Sequence, residues 1–245
     1  MRKTILTACL LLPVLLAYTP VWGNDQECLG KRGEPLKAVE LYLKDAELGN
    51  VAAQFNVAKL YFLGLGTPKD YKQAAKWYRK AAEQGFAAAQ YYLGFMCYHG
   101  KGMPQDYSQA AQWWVKAAEQ GVARAQCDLG SMYNGFLHGV SVDYKQAAKW
   151  YRMAAEQGDI DGLYNLGSFY FLGRGVPQNN VYAHMWLNLA AAGGNKNAVW
   201  ARDFVAAYMT SKQIAEAQRL ASEWKPKMVN ELANMLIPTS TGWYE

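Results

Sequence analysis

The segment Asp70-Tyr71-Lys72-Gln73-Ala74-Ala75-Lys76-Trp77-Tyr78 returns twice more along this chain. The later copies are Asp106-Tyr107-Ser108-Gln109-Ala110-Ala111-Gln112-Trp113-Trp114 and Asp143-Tyr144-Lys145-Gln146-Ala147-Ala148-Lys149-Trp150-Tyr151. The first two copies are 36 residues apart, and the next spacing is one residue longer. A fixed period of this length is typical of an array in which each repeat is one small structural unit. Working outward from these copies gives four repeats, at residues 51–86, 87–122, 123–159 and 160–195.

The first half of each repeat predicts a helix with one closely packed face. In the second repeat, the pair Leu93-Gly94 begins four residues after Ala89 and four residues before Cys97. This spacing places all of them on one helix face. Glycine inside a helix costs about 1 kcal/mol relative to alanine, so its return in later repeats predicts the close approach of a neighbouring helix. The helix is expected to end near Gly100, before a loop that usually holds a second glycine and a proline.

The second half of each repeat predicts an antiparallel helix. It begins after an Asp or Asn, whose side chain accepts hydrogen bonds from first-turn amides. It ends at a glycine, where a left-handed backbone caps the last carbonyls. The pairs of start and end are Asp70 and Gly85, Asp106 and Gly121, Asp143 and Gly158, and Asn179 and Gly194. Each repeat is therefore predicted to be a helix hairpin, and stacked hairpins cover the stripe that a single one leaves exposed.

The two ends of the array differ from its middle. Residues 35–50 match only a second helix and are predicted to be a capping half-repeat. Residues 196–225 are predicted to be C-terminal capping helices, the last of which starts at a capping box formed by Thr210 and Gln213. A C-terminal tail follows at 226–245. It is expected to hold one short amphipathic helix over 228–236 and to be loose beyond it.

The N-terminal residues 1–23 predict a secretory signal peptide. Arg2 and Lys3 precede an apolar stretch that ends in small residues, and an N-terminal tail at 24–34 follows. A membrane anchor is disfavoured, because prolines interrupt the stretch and a spanning helix needs roughly 20 apolar residues. A lipoprotein signal ending at Cys9 is a further alternative, but most of the apolar stretch follows this cysteine. The processed chain is therefore expected to be periplasmic or secreted, with no membrane span.

Charge argues against a nucleic-acid partner. The formal net charge is +5 and falls by two, to +3, when Arg2 and Lys3 are removed. Nucleic-acid binding requires a clustered basic surface, and these charges are few and scattered.

The candidate reactive residues are few. The histidines are His99, His138 and His184, and none belongs to a helical metal motif. A zinc site formed by His99 and His138 with Cys97 is weighed against solvated loop histidines, and three ligands of uncertain convergence favour the second interpretation. No pattern of nucleophile, base and acid stands out. The sequence therefore predicts no catalytic residue, no metal, no cofactor and no enzyme activity.

The cysteines do not predict a disulfide framework. Cys97 and Cys127 lie at different heights on neighbouring helices, which separates their Cα atoms by roughly 13 Å. A disulfide needs less than about 7 Å, so both thiols are expected to be buried and unlinked. Two interpretations stay open for Cys28, an intermolecular disulfide and an idle terminal thiol.

Over residues 35–224 the sequence resembles the Sel1-like repeat family, relatives of the tetratricopeptide repeats. The most specific matches are Leu93-Gly94, Gly100-Lys101-Gly102-Met103-Pro104, Asp106-Tyr107 and Glu119-Gln120-Gly121. The resemblance implies an all-α, right-handed α/α superhelical solenoid of helix hairpins. It also implies adaptor work, since many exported bacterial members bind envelope or host proteins and no catalytic residue set defines them. A cysteine-rich secreted subgroup is linked to β-lactam binding and hydrolysis. Its paired cysteines within each repeat are absent here, so a β-lactam-binding hydrolase is the alternative function.

A partner, a protein or peptide, is predicted to bind along the concave side of the solenoid, which the first helices line. Amides and aromatic rings just off the packing stripe suit an extended peptide. The predicted residues are Asn56, Tyr91, Tyr92, Phe95, Tyr98, Asp128, Asn134, Tyr164, Asn165 and Trp200. The alternative for each aromatic is simple packing between repeats. As a group, however, the four aromatics between 91 and 98 are expected to exceed what packing requires. The predicted function is an exported adaptor or scaffold, or a regulatory subunit of an envelope complex.

Overall fold

Every regular element of the described structure is a helix, and no strand occurs within the described ranges. The structure is a computed structural model and describes residues 35–227 and 229–237. The predicted signal peptide, the tail at 24–34, Cys28 and the end of the chain from Pro238 lie outside the described residues. The predicted all-α class and its organisation in helix hairpins are confirmed.

The chain divides into two compact bodies, one up to Gln84 and one from Gly85. In the N-terminal body, the helices are α1 (Pro35–Glu47), α2 (Val51–Leu63) and α3 (Tyr71–Glu83). In the C-terminal body, they are α4 (Ala87–His99), α5 (Tyr107–Glu119), α6 (Ala123–Tyr133), α7 (Tyr144–Glu156), α8 (Ile160–Leu172), α9 (Asn180–Ala192), α10 (Lys196–Ala206), α11 (Ser211–Glu223) and α12 (Glu231–Leu236). Within each body, each helix from the start up to α10 packs against the next one along the chain.

Side-chain caps fix where the second helices begin, as predicted. The Asp70 carboxylate accepts hydrogen bonds from the amides of Lys72 and Gln73, at 2.9 and 3.0 Å. Asp106, Asp143 and Asn179 accept from first-turn amides in the same way. Because each cap satisfies an amide that the helix cannot pair internally, the hairpins share one register.

Three first helices of the hairpins end at glycine. Gly64, Gly100 and Gly173 close α2, α4 and α8 in the left-handed conformation, with φ of 73°, 63° and 66°. Helix α6 differs, because it ends at Asn134 with a right-handed backbone. The loop after α6 accordingly follows its own path and leaves the Phe136 side chain exposed.

The glycines inside the first helices are contact points, as their spacing predicted. A Cβ on Gly94 would lie 2.6 Å from Cδ1 of Trp114. One on Gly130 would lie 2.5 Å from the Tyr151 ring. These separations are shorter than any normal contact, so the large rings of the second helices pack directly on the bare backbone of the first helices.

A ladder of glutamine side chains joins the turns between repeats. Gln120 donates to the side-chain oxygen of Gln90 at 2.7 Å, and Gln157 donates to that of Gln126 at 2.8 Å. Gln126 in turn donates to the Ala118 carbonyl at 3.0 Å. The ladder ties the ends of α5 and α7 to the first helices of their hairpins, α4 and α6, and ties α6 to the end of α5.

The last two long helices break the hairpin pattern. Helix α10 packs on α9, and α11 also packs on α9 rather than chiefly on α10. The predicted capping box is confirmed, because Thr210 accepts from the Gln213 amide while the Gln213 side chain accepts from the Thr210 amide. After α11 the chain turns back toward the earlier repeats and ends its described course in α12.

Candidate functional site

The structure distributes the ten predicted partner-binding residues between the interior and the surface. Five are buried in the C-terminal body, namely Tyr91, Tyr92, Phe95, Asp128 and Asn134. Tyr98, Tyr164 and Asn165 are partly exposed in the same body, and Asn56 is partly exposed on α2 of the N-terminal body. Trp200 is the most open of the ten, at 70% exposure. Their role in partner binding stays a prediction.

Aromatic packing accounts for the burial on α4. Tyr91 stacks on Trp114 of α5 at 6.4 Å between ring centroids, and Tyr98 stacks on the same indole at 5.5 Å. Phe95 lies 4.3 Å from the His99 ring. The expectation that the α4 aromatics exceed what packing requires is therefore wrong for Tyr91, Tyr92 and Phe95, because α5 and the returning C-terminal chain both cover this helix.

Tyr92 is covered by the end of the chain itself. Its hydroxyl donates to the Leu236 carbonyl of α12 at 3.1 Å, and only 4% of the residue is exposed. Burial raises the pKa of the Tyr92 phenol above its usual value, so the group stays a neutral donor. Sequence spacing gave no sign of this contact, because the two residues are 144 positions apart.

Asp128 belongs to an internal charge cluster. The Arg124 guanidinium lies 3.3 Å from the Asp128 carboxylate and 2.6 Å from that of Asp161. Asp159, fully buried beside them, caps α8 through the Gly162 amide at 2.7 Å. Burial raises the pKa of Asp159 to about 7, although Arg124 and the Gly162 amide act in the opposite direction. Asp128 therefore pairs with the arginine that links α6 to α8.

Asn134 has a structural position too. It is the residue that closes α6, and its backbone amide donates to the Gly130 carbonyl at 2.9 Å. Its side chain lies beside the Tyr151 hydroxyl, which also bonds to Ser131 at 3.1 Å. Burial raises the pKa of the Tyr151 phenol. The side chains of Asn134 and Ser131 keep its hydroxyl hydrogen-bonded inside the hairpin.

A row of aromatic rings remains open at the C-terminal end of the repeats. We define the aromatic row as Trp200, Phe204 and Tyr208 together with Phe171. Trp200 and Phe204 stack at 5.3 Å, and Tyr208 packs edge-on against Phe204 at 5.4 Å. Phe171 of α8 touches Phe204 at 5.7 Å and Tyr208 at 5.8 Å. Trp200, Phe204 and Tyr208 are 70%, 42% and 61% exposed.

Local structure holds the row in place. The Asn195 side chain caps α10 through the Ala198 amide at 3.0 Å. Ala198 and Val205 are buried against the preceding hairpin, which points the opposite side of the helix outward. Residues 200 and 204 are four positions apart on α10 and therefore share that side, and Tyr208 continues the row from the turn that follows the helix. Because α11 packs on α9, the rings of α10 keep their outer surface uncovered.

The sequence prediction included Trp200 but missed its neighbours. The spacing of Trp200, Phe204 and Tyr208 is itself a helical signal that could have found them. A contiguous exposed apolar patch of this kind marks an interaction surface more often than a scattered single residue does.

The cysteines and histidines of the described residues were the candidate reactive groups. Cys97 and Cys127 are both buried and unlinked, as predicted. Burial raises the pKa of the Cys127 thiol, and burial together with nearby Lys101 lowers the pKa of His99. Among residues 35–227 and 229–237, no three His, Cys, Asp or Glu side chains converge as metal ligands would. Within the same part of the chain, no helix has the length and apolar character that a bilayer crossing requires.

Comparison with known sequences identifies the repeat. A family model for the Sel1 repeat matches residues 29–50, 51–86, 87–122, 123–159 and 160–195. The chain belongs to the Sel1 repeat family. Sel1 repeats generally mediate protein–protein interactions and act as non-enzymatic scaffolds. No curated protein matches this Sel1 chain.

Solved structures agree with the assignment. A protective antigen from uropathogenic Escherichia coli strains, described as displaying an SLR fold, is 38% identical with a TM-score of 0.66. The match covers 75% of this chain and 40% of the antigen, so this Sel1 chain spans about two fifths of the antigen's length. A Sel1 repeat protein from Oxalobacter formigenes is 34% identical with a TM-score of 0.64, and the match covers 81% of this chain and 78% of that protein.

Proposed function

We propose that this Sel1 repeat chain is an exported, non-enzymatic adaptor that binds an apolar segment of another protein at the aromatic row. The observation that carries the proposal is the contiguous open surface of Trp200, Phe204 and Tyr208. Their rings touch one another, yet each stays more than two fifths exposed.

The chemistry of the row suits a protein ligand. Aromatic side chains give a large contact area with few rotatable bonds, so ordering them on binding costs little entropy. These rings are already held against one another and against Phe171, which lowers that cost further. The segment they fit best carries aliphatic or aromatic side chains that can lie across the row.

Export rests on the N-terminal sequence. The basic start and apolar stretch of residues 1–23 favour secretion to the periplasm or beyond. Fractionation of cells that produce the full chain tests this part. A processed protein in the periplasm or medium agrees with the proposal, and an unprocessed protein retained in the cytoplasm contradicts it.

Affinity capture tests the binding surface. The chain from residue 24 is immobilised and exposed to an envelope extract, as wild type, as the double variant Trp200→Ala with Phe204→Ala, and as Phe136→Ala. Phe136 is the matched control, because it is 68% exposed but lies in the loop after α6, away from the row. We expect a partner held by wild type and by Phe136→Ala and reduced at least tenfold by the double variant. Equal capture by all three proteins would reject the aromatic row as the binding surface.

A further inference from the structure

The C-terminal segment of the chain occupies a second surface of the C-terminal body. We define this C-terminal segment as residues 229–237, and the turn site as the turn at residues 120–123 together with Tyr92 and Gln157. The segment reaches the turn site from more than a hundred residues away in sequence. It does so through specific polar contacts as well as apolar ones.

Two asparagines make the polar contacts. The Asn230 side chain donates to the Gln120 carbonyl at 2.8 Å and accepts from the Ala233 amide at 3.2 Å. The Asn234 side chain accepts from the Ala123 amide at 2.9 Å and donates toward the Gly121 carbonyl at 3.2 Å and the Gln157 side chain at 3.0 Å. Each asparagine uses both its donor and its acceptor, which no carboxylate or aliphatic side chain can do.

The contact with Ala123 replaces a cap that α6 lacks. Helices α2, α8 and α10 begin after Asn50, Asp159 and Asn195, whose side chains cap their own helices. The equivalent residue before α6 is Val122, which has no side-chain acceptor. The Asn234 oxygen supplies an acceptor to the first turn of α6 from outside the repeat.

Apolar fit completes the site. A Cβ on Gly121 would lie in contact with the Val229 side chain, so glycine at this turn makes room for the segment. Ala233, Leu236 and Ile237 are buried. A cleft beside them continues to Gly85 and Phe86 at the start of α4. Phe86 precedes this helix and, like Val122, has no side-chain acceptor to cap it.

The segment has little structure of its own to hold it there. Helix α12 is six residues long, and isolated helices of that length do not form in water. Its conformation therefore depends on docking. Leu232 and Met235 remain 46% and 69% exposed while the segment is docked. Docking and release are thus expected to be one local equilibrium that leaves the repeats folded.

We propose that the turn site is a peptide-binding site for a helical turn that carries two asparagines four residues apart, the second followed by Met-Leu-Ile. The C-terminal segment is its exchangeable ligand within the chain. A segment with the same pattern presented in trans competes for the site. This site is separate from the aromatic row, so it holds or fails independently of the proposed function.

A labelled peptide tests the site on the full chain. The peptide has the sequence of residues 226–237 with an N-terminal fluorophore, and fluorescence anisotropy reads its binding. The receptor is the full chain with Asn230→Ala and Asn234→Ala, which weakens the competing segment, compared with wild type. We expect the variant to bind the peptide at least tenfold more tightly than wild type does.

Matched peptides and a receptor variant report where the peptide sits. A peptide with Asn234→Asp keeps the acceptor and loses the donor, and we expect at least a tenfold loss of affinity. Adding Tyr92→Phe to the receptor removes only the hydroxyl that donates to Leu236, and we expect a several-fold loss. Circular dichroism melting checks that both receptors are folded. Absence of peptide binding to a folded receptor, or equal binding of the Asp peptide, would overturn the proposal.

Discussion

Tyr91 and Trp200 occupy the same position of their repeats, yet one is buried and the other open. Tyr91 is 7% exposed because Trp114 of α5 stacks on it. Trp200 is 70% exposed, because the helix that follows α10 packs on α9 instead. In a stack of hairpins, the neighbouring helix decides whether a given repeat position is core or exposed surface. At α10, after the last hairpin, an aromatic residue at this position is exposed.

The largest expected contrast is between two tryptophans. Trp114→Ala removes a fully buried indole that packs on Gly94 and donates to the Tyr91 carbonyl at 3.2 Å. We expect it to lower the free energy of unfolding of the C-terminal body by about 3–5 kcal/mol. Urea titration followed by circular dichroism measures the loss. A change below about 1 kcal/mol would contradict the packing described for α4 and α5.

Next in size is a pH effect at the joint between α6 and α8. Because burial raises the pKa of Asp159 to about 7, the folded state holds a proton that the unfolded state releases near pH 4. The stabilisation from this proton is complete at acidic pH and is lost as the pH rises toward 7. Asp159→Asn keeps the acceptor for Gly162 and removes the titration. Between pH 5 and pH 8 we expect the free energy of unfolding of wild type to fall by on the order of 2 kcal/mol more than that of the variant.

The control for this pH effect is Asp203→Asn, at an exposed carboxylate paired with Arg202. The free energy of unfolding of this variant is expected to stay within about 0.5 kcal/mol of the wild-type value at both pH values. If Asp159→Asn and wild type respond to pH alike, the buried carboxyl is not protonated in the folded chain.

A smaller and local effect is expected where the C-terminal segment docks. Asn234→Ala removes the side-chain bonds to Ala123, Gly121 and Gln157. We expect the free energy of local opening of α12 to fall by about 1–3 kcal/mol, with little change in the repeats. Hydrogen exchange of amides 231–237 measures it. Asn197→Ala, at an exposed position of α10, is the control and should leave this exchange unchanged.

The smallest stability effect is expected at the aromatic row. Trp200→Ala takes away an indole whose surface faces mostly solvent, so the free energy of unfolding should change by less than about 0.5 kcal/mol. The same urea titration used for Trp114→Ala gives the comparison. A loss as large as that of Trp114→Ala would mean that the ring is a core residue and that the row is not an open surface.

Most of the fold was predictable because its signals are local. The capping residues Asp70 and Thr210 and the contact glycine Gly94 act within one hairpin, and their spacing repeats along the chain. The glutamine ladder was missed, although Gln54, Gln90 and Gln126 recur at one repeat position and carried the signal.

The surface was harder to predict than the helices. Whether Tyr92 is exposed depends on a contact with Leu236, which no periodicity reveals. The burial of Asp128 depends on Arg124 meeting Asp161 of the next repeat. Helical spacing predicts on which side of a helix each residue lies. It does not predict which distant part of the chain packs against that side.

Hydrogen exchange of the partner-bound chain is the most direct test of the aromatic row as the binding surface. The captured partner is added to the full chain, and peptides covering residues 199–208 are followed together with those of α7 at 144–156. If the partner binds at the aromatic row, exchange slows at least tenfold in 199–208 on binding and stays unchanged in α7. Protection elsewhere, with 199–208 exchanging as in the free chain, would contradict binding at the aromatic row.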